Sequence, residues 1–302
     1  MRMRSLCSTG IVALALLASR VAAQPASMSG DSLYSGWATK AAAGLSLNQS
    51  SFNQAWQGDE VGTVSWIATV EGSADRWLFP RGIWKNRLLL QFGQTHQQDA
   101  ERAAWQSPLK SSDKILFRSI VLFKWWSFLD PFVAFDVDSQ FFTEVEPLRL
   151  WWTPTVLTES VGLARYFVNT PRTSVLTRLG FAFKERIDRF GTFDSVTLAR
   201  DTDITTEGGL EWYTSSRLAT AEDRTVFTSE LRLFKAVDTS QEDPLKRNYW
   251  ASADVDWQNK LTNKIYKFIS FDLFWQILYD KQINRVGQFK QTLGAGVTWQ
   301  LI

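Results

Sequence analysis

Cysteine, histidine and long apolar runs are all scarce in this chain of 302 residues. The single cysteine, Cys7, lies in an N-terminal segment that we predict to be removed, which excludes disulfide bonds and thiolate chemistry from the remainder. The single histidine, His96, excludes a metal site built from several histidines. After residue 23, no apolar run approaches the roughly 20 residues that a helix needs to cross a bilayer.

The N-terminus has the features of a secretion signal. Arg2 and Arg4 precede an apolar run at residues 11–18, and small residues at 21–23 precede a cleavage point before Gln24. The apolar run is too short to span a bilayer as a helix. We therefore predict three parts, namely a cleaved signal peptide at 1–23, a short polar segment at 24–35 and an outer-membrane β-barrel at 36–302.

An excess of positive charge is also absent once the signal is removed. The full chain has 33 basic and 31 acidic residues, a formal charge of +2. Residues 1–23 contain three arginines and no acid, which leaves 30 basic against 31 acidic residues and a net charge of −1. Nucleic acid is therefore not an expected partner. No cofactor is expected either.

What the chain does contain is aromatic residues and period-two alternation. It has 15 tryptophans and 21 phenylalanines, which a barrel places in girdles at the two membrane interfaces. In the segment from Gln288 to Ile302, apolar side chains such as Phe289, Leu293 and Trp299 alternate with polar or small ones. This alternation is typical of a transmembrane β-strand. A soluble β-sandwich or barrel is the alternative, but it would leave the aromatic content unexplained.

The alternation predicts an all-β, antiparallel transmembrane barrel of about twelve strands. Twelve is an even number, as expected for a single-chain bacterial barrel. Short turns and longer links alternate along the chain, and short turns face the periplasm in such barrels, so both termini are predicted to be periplasmic. The segments are 36–49, 61–73, 83–95, 113–125, 131–142, 155–168, 173–186, 206–218, 224–236, 248–259, 265–280 and 288–302. Long links are predicted at 96–112 and 187–205, and the link at 74–82 is longer than the rule requires.

The faces of these strands predict a charged lumen. Basic strands neighbour acidic ones, so that Arg118 and Asp136 are expected to lie side by side at mid-depth. The assignment leaves the lipid-facing positions at mid-depth without charge. The candidate lumen-lining residues are Lys85, Arg87, Arg118, Asp136, Asp138, Arg178, Glu211, Glu230, Asp254, Asp256 and Asp272. Apolar residues are also predicted to face inward, namely Leu89, Leu116, Ile120, Leu122, Leu157, Val161 and Leu163.

These lumen residues leave two interpretations open. The interior is either a water-filled passage with opposed charged walls or a set of ion pairs that fills the barrel. Strand number does not decide between them, because an eight-stranded barrel is filled by side chains and a sixteen-stranded one keeps an aqueous channel.

Three functions follow from this fold. The first is a narrow channel or binding barrel for small hydrophilic solutes. The second is a closed structural or assembly barrel whose loops bind a partner. The third is a surface lipid-modifying enzyme with His96 as a base, near Asp99 and two serines. No motif surrounds His96, so a solvated loop histidine is the simpler interpretation. We therefore predict no catalytic residue and no metal site.

The segment from Gly36 to Trp66 carries a resemblance to a known family. Its features are Trp37, Gly44, Leu47-Asn48, Ser51-Phe52-Asn53, Trp56 and Gly58, followed by an alternating strand. This pattern resembles an uncharacterised Gram-negative outer-membrane family known only as a domain of unknown function. The resemblance implies a barrel in the Gram-negative outer membrane and supplies no activity. The expected partners are the lipid bilayer, lipopolysaccharide, the outer-membrane assembly machinery and a small solute.

Overall fold

The computed structural model describes residues 36–50, 62–99, 104–126, 128–145, 148–194, 197–240 and 251–301. The predicted signal peptide and polar segment lie outside these residues. The strands are β1 Ala38–Ser50, β2 Thr63–Phe79, β3 Gly82–Gln97, β4 Leu109–Phe123, β5 Asp130–Ser139, β6 Phe142–Val145, β7 Leu148–Trp151, β8 Thr155–Asn169, β9 Thr173–Asp194, β10 Thr197–Ala219, β11 Thr225–Thr239, β12 Ala253–Lys264, β13 Ile269–Tyr279 and β14 Gln288–Gln300.

Twelve of these strands form one closed antiparallel barrel. The order around the wall is β1-β14-β13-β12-β11-β10-β9-β8-β5-β4-β3-β2, and β1 closes the sheet by pairing with β14. The two remaining strands, β6 and β7, form a small hairpin inserted between β5 and β8. The predicted all-β class and the twelve-stranded barrel are therefore confirmed.

The two ends of the barrel differ in the length of their connections. At one end, strands are joined by short turns, such as Pro80-Arg81 between β2 and β3. The opposite end carries the longer links, including the β6–β7 hairpin and residues 280–287 between β13 and β14. We call these the turn end and the link end. The first strand, β1, begins at the turn end, and the last strand, β14, ends there.

Two predicted links are partly strand in the structure. The segment 74–82 is not a long link, because β2 continues to Phe79 and pairs with β3 almost to the turn. The segment 187–205 is not a loop, because β9 and β10 remain paired from Ile187↔Ile204 up to Asp194↔Thr197. This hairpin rises past the rim at Thr155, where β8 begins. Within the described residues, no helix is long and apolar enough to cross a membrane.

The outer surface of the barrel is apolar over many strands. On β9, Leu179, Phe181 and Phe183 all face outward and are exposed. On β14, Phe289 and Leu293 do the same, as the alternation of this strand predicts. A soluble protein seldom exposes such a continuous apolar surface, whereas a bilayer covers it.

The predicted face of β8 is wrong. Leu157, Val161 and Leu163 point outward rather than into the lumen, since their partners on β5 and β9 also point outward. The inward positions are occupied by small residues from Thr158 to Ala164, which are largely buried. Small side chains are needed there because the lumen beside β8 is packed. As a result, the carboxylate of Glu159 lies exposed on the outer face, between Phe135 and Phe183.

Candidate functional site

The interior of the barrel contains an ion-pair network at its middle. Asp136 of β5 binds the guanidinium groups of Arg178 and Arg232, with its Oδ2 atom 3.1 Å from Nη2 of Arg178. Glu211 lies 3.5 Å from Arg178 and 3.1 Å from Arg232. These four residues join strands β5, β9, β10 and β11, and the side chains of Asp136, Arg178 and Glu211 are at most 4% exposed.

A second part of the network crosses the lumen. Glu230 of β11 binds both Arg87 of β3 and Arg118 of β4, which lie on the opposite wall. Arg118 is also 4.0 Å from Asp136, its direct neighbour in the β4–β5 register, so the two parts are continuous. We refer to Arg87, Arg118, Asp136, Arg178, Glu211, Glu230 and Arg232 as the central network.

Tyr213 organises the arginines of the central network. Its hydroxyl accepts a hydrogen bond of 2.7 Å from Nη1 of Arg118. Its ring lies 5.1 Å from the guanidinium carbon of Arg118 and 4.4 Å from that of Arg178. Guanidinium groups over a buried aromatic face gain cation–π stabilisation, so Tyr213 compensates part of the cost of placing several cations together.

Between the central network and the turn end, the side of the lumen along β4, β5 and β8 is filled by apolar side chains. Leu122, Phe132, Ala134 and Ala164 form a buried cluster contributed by β4, β5 and β8. Ile83, Ile120, Tyr166 and Leu176 pack against it. This packing closes the lumen beside β4, β5 and β8.

The opposite side of the lumen is open. A cavity of about 360 Å³ at the turn end lies along β1, β2, β12, β13 and β14, beside small residues such as Gly44 and Gly296. A second cavity of about 150 Å³ continues toward mid-depth and shares six lining residues with the first, among them Ser46, Thr69 and Lys260. We call these the turn-side and middle cavities.

A third and larger cavity lies at the link end. Its volume is about 550 Å³, and it is lined by β4, β5, β8 to β13 and by residues 280–283 of the last link. Arg232, Asp136 and Glu211 of the central network form its floor. Leu116 lines both this cavity and the middle cavity. We call the third cavity the link-side cavity.

All eleven residues predicted to line the lumen have inward positions in the register of the barrel. Six of them, Arg87, Arg118, Asp136, Arg178, Glu211 and Glu230, belong to the central network. Lys85 lies apart, 3.1 Å from the hydroxyl of Tyr166 and 3.7 Å from Asp75.

The remaining four predicted residues are acids outside the network. Asp138 pairs with Lys114 at 3.0 Å, and Asp254 pairs with Lys184 at 2.7 Å. Asp256 accepts hydrogen bonds from Gln258 and Gln276. Asp272, at the turn-side cavity, accepts a hydrogen bond from Thr262.

Sequence reasoning missed Arg232, Tyr213 and Asp203. Arg232 lies two residues after Glu230 on the same strand face, so period-two alternation was sufficient to place it in the lumen. Tyr213 follows Glu211 by the same spacing. Asp203 falls within the predicted link 187–205, whereas the structure places it on β10 opposite Asp188.

The described residues do not assemble a catalytic site around His96. The residue lies within β3, not in a loop, and pairs with Val64 of β2. Alternation along β3 turns its side chain outward, opposite to the lumen-facing Thr95, whose hydroxyl bonds Ser65. Among the described residues, no serine or carboxylate forms a hydrogen bond with His96. The hypothesis of a lipid-modifying enzyme therefore gains no support from its surroundings.

Comparison with known proteins gives one family match. Residues 47–144, about a third of the chain, match the model of a family described as "Protein of unknown function (DUF3078)". The match confirms, over this segment, the resemblance to an uncharacterised family. A comparison with curated proteins found no match.

Several solved structures are similar to the chain at low sequence identity. An outer membrane channel from Pseudomonas putida F1 shares 8% identity with a TM-score of 0.40, over 90% of this chain and 98% of the channel. The translocator domain of the autotransporter NalP from Neisseria meningitidis shares 12% identity with a TM-score of 0.37, over 88% and 90%. The NanC porin shares 10% identity with a TM-score of 0.37, over 87% and 100%.

Proposed function

We propose that this protein is an outer-membrane channel that passes small hydrophilic solutes through one side of a half-filled lumen. The apolar outer face supports the membrane location, since a bilayer covers exposed side chains such as Phe181 and Phe289. With the short turns in the periplasm, the link end faces the outside of the cell and both termini face the periplasm.

The observation that carries the proposal is the series of three cavities. The turn-side and middle cavities share six lining residues, and Leu116 lines both the middle and the link-side cavities. Their lining is rich in hydroxyls, amides and charges, which replace the water lost by a polar solute when it enters a narrow pore. The packed half of the lumen makes the path narrow, so we expect small solutes to pass and large ones to be excluded.

The experiment that tests the proposal is single-channel conductance of the refolded protein in a planar bilayer. Discrete, reproducible current steps are expected. A protein that is shown to be folded but gives no steps would contradict the channel, and a closed barrel with a partner at its links would then be the better interpretation. Folding is verified independently by the β-rich circular dichroism spectrum of the same preparation.

Measuring the ion selectivity of variants shows which residues line the path of the ions. Lys260 and Lys290 line the middle cavity, whereas Arg178 is buried in the central network and lines none of the three cavities. Replacing both lysines by glutamine is therefore expected to shift the reversal potential in a salt gradient toward cations. An unchanged reversal potential would show that ions do not pass along this side of the lumen.

A further inference from the structure

The side chains that line the link-side cavity have a net negative charge, whereas those that line the other two cavities have a net positive charge. Nine acidic and four basic side chains line it. The turn-side and middle cavities together have three acidic and five basic side chains. A cleft with walls of one charge and a low-dielectric surround concentrates ions of the other sign. The link-side cavity is thus suited to cations.

Several of its acids are not neutralised by the residues that the structure describes. Asp203, Asp256 and Asp280 have no lysine or arginine within 4.0 Å in the part of the chain that the structure describes. Asp256 is held by the amides of Gln258 and Gln276, and Asp280 by the backbone N–H of Gln282 at 2.9 Å. Amide donors orient a carboxylate but leave its negative charge in place, so a ligand cation can pair with it.

The floor of the cavity provides an independent observation. The side chain of Glu211 is 1% exposed, and neither of its carboxylate oxygens accepts a hydrogen bond. Its arginine neighbours, Arg178 and Arg232, are 3.5 and 3.1 Å away. Buried carboxylate oxygens normally have hydrogen-bond partners, so Glu211 retains unused acceptor capacity at the base of the cavity.

The spacing of the acids indicates the form of the ligand. Among the described residues, no group of three or more potential metal ligands lies close enough together to hold an ion. The carboxylates are instead spread over β5, β9, β10, β12 and the last link. Separate carboxylates around a space of about 550 Å³ suit an extended molecule with more than one positive centre.

We propose that the link-side cavity binds a small organic cation that carries two or more amino groups. As a substrate class, this assignment rests on the proposed channel function. Binding itself does not, because the cavity and its acids are present whether or not the lumen conducts. A channel with this arrangement admits diamines at its link end in preference to dicarboxylates of the same length.

Calorimetric titration of the refolded protein in detergent micelles tests the proposal. The probes are 1,5-diaminopentane, glutarate and 1,5-pentanediol, which have similar length and opposite or no charge. The diamine is expected to bind, to bind more weakly as salt is added, and to bind more tightly than the other two. Absence of diamine binding by folded protein, or equal or tighter binding of glutarate, would overturn the proposal.

Variants locate the site. In the triple variant Asp203→Asn, Asp256→Asn and Asp280→Asn, we expect diamine affinity to fall at least about tenfold, because three negative charges that line the cavity are lost. Glu159→Gln, on the outer face, is the matched control and is expected to bind normally. If the triple variant does not fold, Asp203→Asn alone, at an exposed position, is expected to lower affinity about threefold.

The outcomes separate this inference from the channel itself. Unchanged affinity in the folded variants, or a loss in Glu159→Gln as large as that in the triple variant, would overturn the site. A barrel that binds the diamine but never conducts would contradict the channel and leave the binding site standing. A barrel that conducts but does not bind it would contradict only the present inference.

Discussion

At the scale of single residues, the central network is a set of charged side chains that position one another through shared ion pairs. Asp136 contacts three arginines, and each contact depends on the others for its position. Removing charges from water is costly, and a buried pair is stable only while both partners are present. The network is therefore expected to tolerate the loss of one member poorly.

The first prediction concerns Arg178, whose side chain is 4% exposed. Arg178→Gln is expected to lower the free energy of unfolding by about 3–5 kcal/mol, because it leaves Asp136 and Glu211 with fewer counter-charges. Urea titration in micelles, followed by tryptophan fluorescence, measures this value. Arg149→Gln is the control, since its ion pair with Glu144 is about half exposed on both sides and is worth about 1 kcal/mol or less. Equal costs for the two variants would contradict the role given to the network.

The second prediction concerns the carboxylate of Glu159 on the outer face of β8. A charged side chain facing hydrocarbon is unfavourable, although an acid costs less than the roughly 2–4 kcal/mol of a mid-membrane arginine or lysine. Glu159→Leu is expected to raise the free energy of unfolding in bilayer vesicles by about 1–2 kcal/mol. Glu222→Leu, in a turn and well exposed to solvent, is the control and should change stability little. A destabilised Glu159→Leu would show that this carboxylate has a favourable contact in the membrane.

At the scale of strands, two glycines allow β8 and β9 to approach closely. Gly162 and Gly180 face each other in the register, and both point into the lumen. A β-carbon added to either one would overlap the backbone of the other strand, the carbonyl of Leu179 in one case and that of Val161 in the other.

The third prediction follows from this pair. Gly162→Ala is expected to destabilise the barrel by about 1–3 kcal/mol, because the wall must move to accept the methyl group. Gly208→Ala is a matched control on β10, where a β-carbon would meet no atom within 4 Å. Thermal or urea unfolding of the two variants compares the effects directly. Similar stabilities would mean that the wall is compliant at Gly162.

The elements also show which parts of the structure were predictable from the sequence. In β14, large apolar residues and small or polar residues separate cleanly, so both the strand and its faces could be assigned. In β8, the charged Glu159 shares one face with Leu157 and Leu163, so polar and apolar residues do not separate there, and the predicted face was wrong. The β9–β10 hairpin was missed in part because its paired residues above the rim include polar side chains such as Asp188 and Asp203, which resemble a loop.

At the scale of the whole molecule, the lumen is divided into a packed half and an open half. Strand periodicity shows which residues point inward, but it does not show which of them meet across the barrel. Arg87 on β3 and Glu230 on β11 are 143 residues apart and bond only because the sheet closes. Outside β8, the inward residues were therefore predictable, whereas the network, the apolar cluster and the three cavities depend on closure and side-chain packing.

This division leads to the last prediction, which concerns the junction between the middle and link-side cavities. Leu116 lines both cavities and is 3% exposed, and Phe274 lines the middle cavity just below Gln276, which lines the link-side cavity. Replacing Leu116 and Phe274 with alanine removes the bulkiest apolar groups from this level. We expect the unitary conductance to rise about twofold or more, since the narrowest level of a pore limits the current.

A control variant in the packed half makes this test specific. Leu122→Ala also removes a buried apolar side chain from the lumen, but its surroundings are Phe132, Ala134 and Ala164 rather than a cavity. It is expected to lower stability by about 2–5 kcal/mol and to leave conductance unchanged. If instead Leu122→Ala raised the current as much as the Leu116 and Phe274 double variant, the path would run through the half of the lumen that packing closes. If neither variant changed the current, the ions would cross the barrel by a path that avoids this junction.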